Sequence, residues 1–299
     1  MKTRVLERAK SNLLLLCASI VTVKNIVLNS YCLSLTGSYR KAENMVHFVG
    51  AGPGAVDLIT IRGKEYLEEA DTVIYAGSLV NPDLLAYCKK DAKIYNSAKM
   101  TLEEVLDVIR KTEHQGGMTV RLHTGDASIY GAIREQMDAL KQEDIPYDVC
   151  PGVSSFCGAA AALKMEYTLP EVSQSVIITR MAGRTPVPDT ESIASFAKHH
   201  ATMVVFLSTG LLGQLQEQLI LGGYREDTPA AIVYKATWPD EQCFVCTVGT
   251  LERTAKENQI TKTALMIIGD VVNTADYARS KLYDPYFTTE FRDGIDDEH

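Results

Sequence analysis

The sequence predicts an α/β protein of two consecutive α/β domains, on three observations. From Met45 onward, short apolar runs alternate with helically spaced stretches, the rhythm of a largely parallel sheet with helices on its faces. Glycine-rich turns directly follow several of these runs, and ligands gather at such turns in open α/β sheets. The alternation then restarts after a small-residue stretch at 151–174.

Taken in order, Val46–Val49 reads as a strand, then a glycine turn, then a short helix over Arg62–Ala70. Thr72–Tyr75 is a second strand and Leu84–Lys89 a helical piece. Leu102, Val105, Leu106 and Ile109 share one helical face, predicting a helix over Leu102–Lys111 that Gly116-Gly117 ends. Met118–Leu122 is strand-like, Ala132–Lys141 helical, and Tyr147–Cys150 a buried strand. The stretch "PGVSSFCGAAAALKMEYTLPEVSQ" predicts a tightly packed helix and a connector, placing the domain change near Leu163–Thr168. Strands follow at Val176–Thr179, Thr202–Leu207, Ala230–Tyr234, Phe244–Thr247 and Ala264–Ile268, with helices at Ile193–His199 and Leu211–Leu221. The short link after Tyr234 suits antiparallel pairing. The domains are then 45–165 and 166–287, with a leader at 1–44 and a tail at 288–299.

The 299 residues are 46% hydrophobic and 23% charged, the composition of a soluble globular chain. A net charge of -8 without a basic run argues against nucleic acid as a partner. Seven cysteines lack a disulfide-framework spacing, which fits a reducing cytoplasm. Cys243 and Cys246 form a lone CxxC whose members face opposite sides of a strand, so its expected role is structural. The first 44 residues carry seven Lys/Arg and two Glu, and Leu13–Val23 is an apolar run too short to span a bilayer. It resembles a signal-peptide core; the favoured alternative is a translation start at Met45, and no membrane partner is expected.

The loop "GAGPGA" at 50–55 satisfies a loose dinucleotide fingerprint. That mechanism needs an acidic residue where the second strand ends, and this strand runs into Ala76, Gly77 and Ser78. Asp71 stands at its wrong end, and Pro53 removes an amide a pyrophosphate would use. No Walker-type phosphate loop is present. Glycines that merely permit a tight turn remain open for the loop in isolation.

The stretches "VGAGPGAVDLIT", "TGDASIYGA", "PGVSSFCGAAAA" and "ALMIIGDVV", in that order, closely resemble the tetrapyrrole (corrin/porphyrin) methylase family, over Val46 to about Phe291. "HTGDASIYGAIREQM", "ITRMAGRTPVP", "VYKATWPDEQ" and "RSKLYDPYFTTEFR" look like the group that methylates C11 of cobalt-precorrin-4. One departure is Ala127, where the family usually has proline; looser cofactor binding is expected there. The resemblance implies a homodimer of the class III methyltransferase fold, with S-adenosyl-L-methionine in the cleft between two domains. Its cofactor positions are Pro53, Thr124, Gly125, Asp126, Ile129, Ser154, Ser155, Leu207, Ala236, Thr263 and Ala264.

Methyl transfer from a sulfonium is a displacement whose difficult chemistry belongs to the cofactor, so no catalytic base is identified. Asp126, the candidate carboxylate, either bonds the cofactor or caps its turn. A substrate fringed by acetate and propionate arms calls for local positive charge in an acidic protein. Arg184 is the best candidate, with Arg180 and Lys235; Arg134 reads as a solvated helix residue. His123 contacts a ligand or is a hydrogen-bonded structural histidine, the latter favoured, and Tyr130 lies in the trough or the core. No metal-ligand cluster occurs, and cobalt would belong to the substrate. The alternatives are a metal-free acceptor, another ring position, or a nonenzymatic tetrapyrrole carrier.

Overall fold

Along the strand β1 (Val46–Gly50), side chains alternate between two faces, and each face finds its own helices. The computed structural model describes residues 45–295; the readings of the 1–44 leader and of the last four tail residues lie outside them. β1, β2 (Thr72–Tyr75), β3 (Lys93–Asn96), β4 (Thr119–His123) and β5 (Tyr147–Cys150) pair in parallel in the order β3-β2-β4-β1-β5. Val49, Val73, Val120 and Leu122 pack under Leu67 of helix α1 (Ile61–Glu69) and Leu84 of the 3-10 segment Pro82–Tyr87. On the opposite face Val46, Phe48 and Ile74 meet α2 (Leu102–His114) and α3 (Arg134–Gln142). Each fully buried side chain of this size contributes about 1.5–3 kcal/mol. A reciprocal capping box between Thr101 and Glu104 starts α2.

Helix α4 (Ser155–Leu163) follows β5. A second sheet then forms from β6 (Val176–Arg180), β7 (Thr202–Phe206), β8 (Pro229–Tyr234), β9 (Gln242–Thr247) and β10 (Ala264–Ile268), ordered β6-β7-β10-β8-β9. Only the β6–β7 pair is parallel. Helices α5 (Ile193–Ala197), α6 (Leu212–Leu221) and α7 (Leu251–Glu257) fill one face. The other face receives α4: Ala159 is fully buried with Val204, Val233 and Ile267. The small residues of α4 explain this close seat, since a Cβ on Gly158 would stand 3.0 Å from Pro53 and from Thr237.

The alternation and the antiparallel β8–β9 pair are as expected. Three readings need correction. β5 is an edge strand, not a buried one, and leaves Val149 42% exposed. The helical piece after β2 is the 3-10 segment Pro82–Tyr87. β3 and α7 escaped the sequence reading. Among the described residues the five cysteines are free, and no helix is long and apolar enough to cross a membrane.

Candidate functional site

Three loops leave the carboxyl ends of β1, β4 and β5 and meet backbone to backbone. Gly52 and Gly125 exchange amide–carbonyl bonds of 3.2 and 2.9 Å, both at positive φ. A Cβ on Gly50 would come within 2.6 Å of the Gly125 carbonyl and of Gly152, and one on Gly152 would overlap that same carbonyl. Only glycine permits such main-chain contact. Asp126 locks the junction: one oxygen accepts from the Gly152 amide at 2.8 Å, the other from the Ser128 amide at 2.8 Å and from the Ser128 hydroxyl. Burial works to raise its pKa, and these hydrogen bonds more than offset it, leaving it below the usual carboxylate value. Of the two roles open to Asp126, the turn-holding one is what the geometry displays.

The second sheet supplies the facing wall from the ends of β7 and β8 and the start of β10. Leu207, Lys235 and Thr263 stand there with φ of 53°, 46° and 57°, and Tyr130 opposite has φ 56°. Left-handed non-glycine residues each cost about 1–2 kcal/mol, and such residues cluster where ligands are clamped. The walls are stitched together by the Ala55 amide, which donates to Thr237 Oγ1 at 3.0 Å. Trp238 packs against Gly54, with Lys235 Nζ 5.4 Å from its ring centroid.

Two adjoining cavities result. One, about 120 Å³, is lined by Pro53, Thr124, Ser155, Leu207, Lys235, Ala236, Trp238, Thr263 and Ala264, among others. The other, about 270 Å³, is lined by His123, Thr124, Gly125, Asp126, Ile129, Tyr130, Ser154, Ser155 and Leu207, among others. All eleven positions expected for the cofactor therefore border one or the other. So do Lys235, Tyr130 and His123. Arg180 and Arg184 do not: Arg180 donates to the carbonyls of Met181, Thr185 and Pro186, which folds the loop that carries the exposed Arg184. Lys235 is paired with Asp240 at 2.6 Å. Arg134 is a solvated helix residue, paired with Asp138.

His123 differs from the favoured reading. It is 4% exposed, yet its Nε2 has no hydrogen-bond partner among the described residues, and neither has the buried hydroxyl of Thr124. Leaving such a group unsatisfied costs about 1–3 kcal/mol. Burial, helped by Arg121, pushes the His123 pKa down to about 3, so the ring is neutral. The hydrogen-bonded structural histidine is instead His47, which shares Asp148 with Tyr66.

Leu79, Phe206 and Trp238 also line the site and were not singled out from sequence. Trp238, the chain's single tryptophan, three residues after Lys235, was the available signal. A larger cavity of about 750 Å³ lies between α6 and α7. Neither of the two orphaned polar atoms borders it, and its Lys256 is paired with Glu252. Among the described residues no cluster of His, Cys, Asp and Glu could hold a metal ion.

Residues 45–252 match the family model for tetrapyrrole (corrin/porphyrin) methylases. A cobalt-precorrin-4 C(11)-methyltransferase of Methanocaldococcus jannaschii is 55% identical over 83% of this chain and 95% of its own length. One of Priestia megaterium is 45% identical over 85% and 99%. The solved structure of a cobalt precorrin-4 methyltransferase of cobalamin biosynthesis superposes with a TM-score of 0.75 at 44% identity, covering 77% of this chain and 96% of that one. A Thermus thermophilus uroporphyrin-III C-methyltransferase complexed with S-adenosylhomocysteine gives 0.66 at 25% identity, covering 76% and 98%.

Proposed function

The chain belongs to the tetrapyrrole (corrin/porphyrin) methylases, and on that premise we propose that it is an S-adenosyl-L-methionine-dependent C-methyltransferase acting on C11 of cobalt-precorrin-4. Its product is cobalt-precorrin-5A, on the anaerobic route to cobalamin. The observation that carries this reading is the convergence of all eleven expected cofactor positions on two adjoining cavities. A cytoplasmic homodimer with domains at 45–165 and 166–287 is part of the same reading.

The residues present suit the cofactor. Val233, Ala236, Ala264 and Leu265 offer an apolar wall for an adenosyl group. Pro53, Ser155, Leu207 and Thr263 complete the enclosure. When bound, S-adenosylmethionine supplies an electrophilic methyl group. The protein's share is positional: donor and acceptor must be held about 3–3.5 Å apart and in line. The touching glycines fix one wall and the left-handed residues the other. Both Asp126 oxygens are engaged in holding loops, so no base is assigned. The acceptor's carboxylate arms fall to Lys235 and Tyr130 on the cavity walls and to the exposed Arg184 beyond them, with Arg180 ordering the Arg184 loop.

The test is incubation with cobalt-precorrin-4, and separately metal-free precorrin-4, with labelled cofactor, followed by locating the label on the ring. Label at C11 from the cobalt substrate is expected. Label on another carbon, or transfer only to the metal-free ring, overturns the assignment. Calorimetry with S-adenosylhomocysteine separates an enzyme from a tetrapyrrole carrier, which would give no heat.

A further inference from the structure

Arg121 lies in the middle of β4, facing Phe48 and Ile74 across the sheet, and is 5% exposed. Its guanidinium donates Nε–H to Gln136 Oε1 at 2.9 Å and Nη1–H to the Ile74 carbonyl at 2.7 Å. Both acceptors are neutral. It makes no ion pair with any described carboxylate, and burial pushes its pKa down to about 10, still charged at neutral pH. A buried cation ordinarily sits beside an acid; this one does not. His123 follows two residues later, so its side chain leaves the sheet on the same face, one step nearer the crevice.

The column therefore runs from an uncompensated buried cation, through a neutral imidazole with an orphaned nitrogen, to the wall of the 270 Å³ cavity. The adjoining Thr124 hydroxyl, equally orphaned, borders the same cavity. With the neutral imidazole in its Nε2–H tautomer, the cation has two unused donors beside it, the complement of a carboxylate.

We propose that Arg121, His123 and Thr124 form a seat for one carboxylate arm of the tetrapyrrole acceptor, with His123 Nε2–H and the Thr124 hydroxyl donating to it and Arg121 supplying charge from behind. A carboxylate could also come from the amino-acid end of the cofactor. That end carries an ammonium next to its carboxylate, which the Arg121 charge repels, whereas an acetate or propionate arm brings no cation. The seat is on this ground assigned to the acceptor. The assignment to a tetrapyrrole arm rests on the proposed function; the carboxylate seat itself does not.

Two experiments on the full chain separate these. In the first, propionate is titrated into the protein while the imidazole nitrogen signals are followed by NMR. The His123 signals are expected to shift saturably and those of exposed His114 to stay still; equal, linear drift of both overturns the seat. This readout needs neither cofactor nor methyl transfer, so it stands even if the proposed reaction is wrong. In the second, His123→Ala is expected to raise KM for cobalt-precorrin-4 about tenfold, with kcat and the S-adenosylhomocysteine Kd within about twofold, one decade being about 1.4 kcal/mol. His123→Gln, which keeps a donor, is expected to recover most of that loss. An unchanged KM overturns the proposal, and so does a Kd for S-adenosylhomocysteine that weakens with KM, because the seat would then serve the cofactor. Unaltered S-adenosylhomocysteine binding also certifies that each variant is folded.

Discussion

The Asp126 carboxylate accepts a hydrogen bond of 2.8 Å from the Gly152 amide, joining the loop after β4 to the loop after β5. Its second oxygen holds the Ser128 amide. A charged acceptor in such a bond is worth about 1.5–3 kcal/mol when buried, and partial exposure reduces this to about 1 kcal/mol. Asp126→Ala is accordingly expected to lower stability by about that amount and to weaken S-adenosylhomocysteine binding severalfold. The folded pKa lies below its usual value. The contribution is thus complete above the unfolded carboxylate value of about 4 and is lost as pH falls through the lower folded value. Urea titrations of both proteins at pH 7 and through the acid range check this. A stability gap that does not narrow in acid would refute the clamp.

Gly152 and Gly210 make a contrasting pair. A Cβ on Gly152 overlaps backbone of Gly125, while one on Gly210 meets nothing within 4 Å. Gly152→Ala should cost more than about 2 kcal/mol, in the range of overpacked cores, or fail to fold. Gly210→Ala should stay within about 0.5 kcal/mol of the parent. Thermal melts decide, and equal losses in the two would count against the packed-glycine account.

Trp238 is the chain's one tryptophan and lines the smaller cavity. Its fluorescence should change on adding S-adenosylhomocysteine and report a dissociation constant directly. A Cβ on Gly54 would overlap the Trp238 ring, so Gly54→Ala should displace the indole and weaken binding about tenfold or more. A spectrum indifferent to saturating ligand would remove Trp238 from the site.

Arg184 is exposed and makes no hydrogen bond or ion pair among the described residues, whereas Arg180 folds the loop beneath it through three carbonyls. Arg184→Ala should raise the acceptor KM and leave S-adenosylhomocysteine affinity nearly unchanged. Arg180→Ala should raise KM as well, and also make the 181–186 backbone more susceptible to proteolysis. Steady-state kinetics with limited trypsin or thermolysin digestion distinguish the two; identical kinetics for Arg184→Ala would exclude it.

The strands buried on both faces were legible because runs such as Thr202–Phe206 and Ala264–Ile268 are continuous apolar stretches bounded by turns. β3 was not: Lys93 and Ile94 are exposed on an edge, and four residues give no period to read. α7 was hidden because "LERTAKE" buries only Leu251 and Ala255. At the site, the glycine loops announced themselves and the family resemblance named the cavity-lining positions. What stayed illegible depends on contacts between distant segments. The pairing of Gly54 with Trp238, and of Ala55 with Thr237 across 182 positions, leaves no periodic trace. His123 read as a satisfied strand-end histidine because nothing local reveals that its nitrogen lacks a partner.

Main chains in contact leave no side chains to exchange. The Gly50–Gly125–Gly152 junction therefore has almost no sequence freedom, and selection cannot retune that half of the crevice by ordinary substitution. Variants recruited to a differently shaped macrocycle should accumulate their changes opposite, at 206–209, 235–238 and 263–265, and mutational libraries aimed at the glycine tips should return chiefly inactive protein.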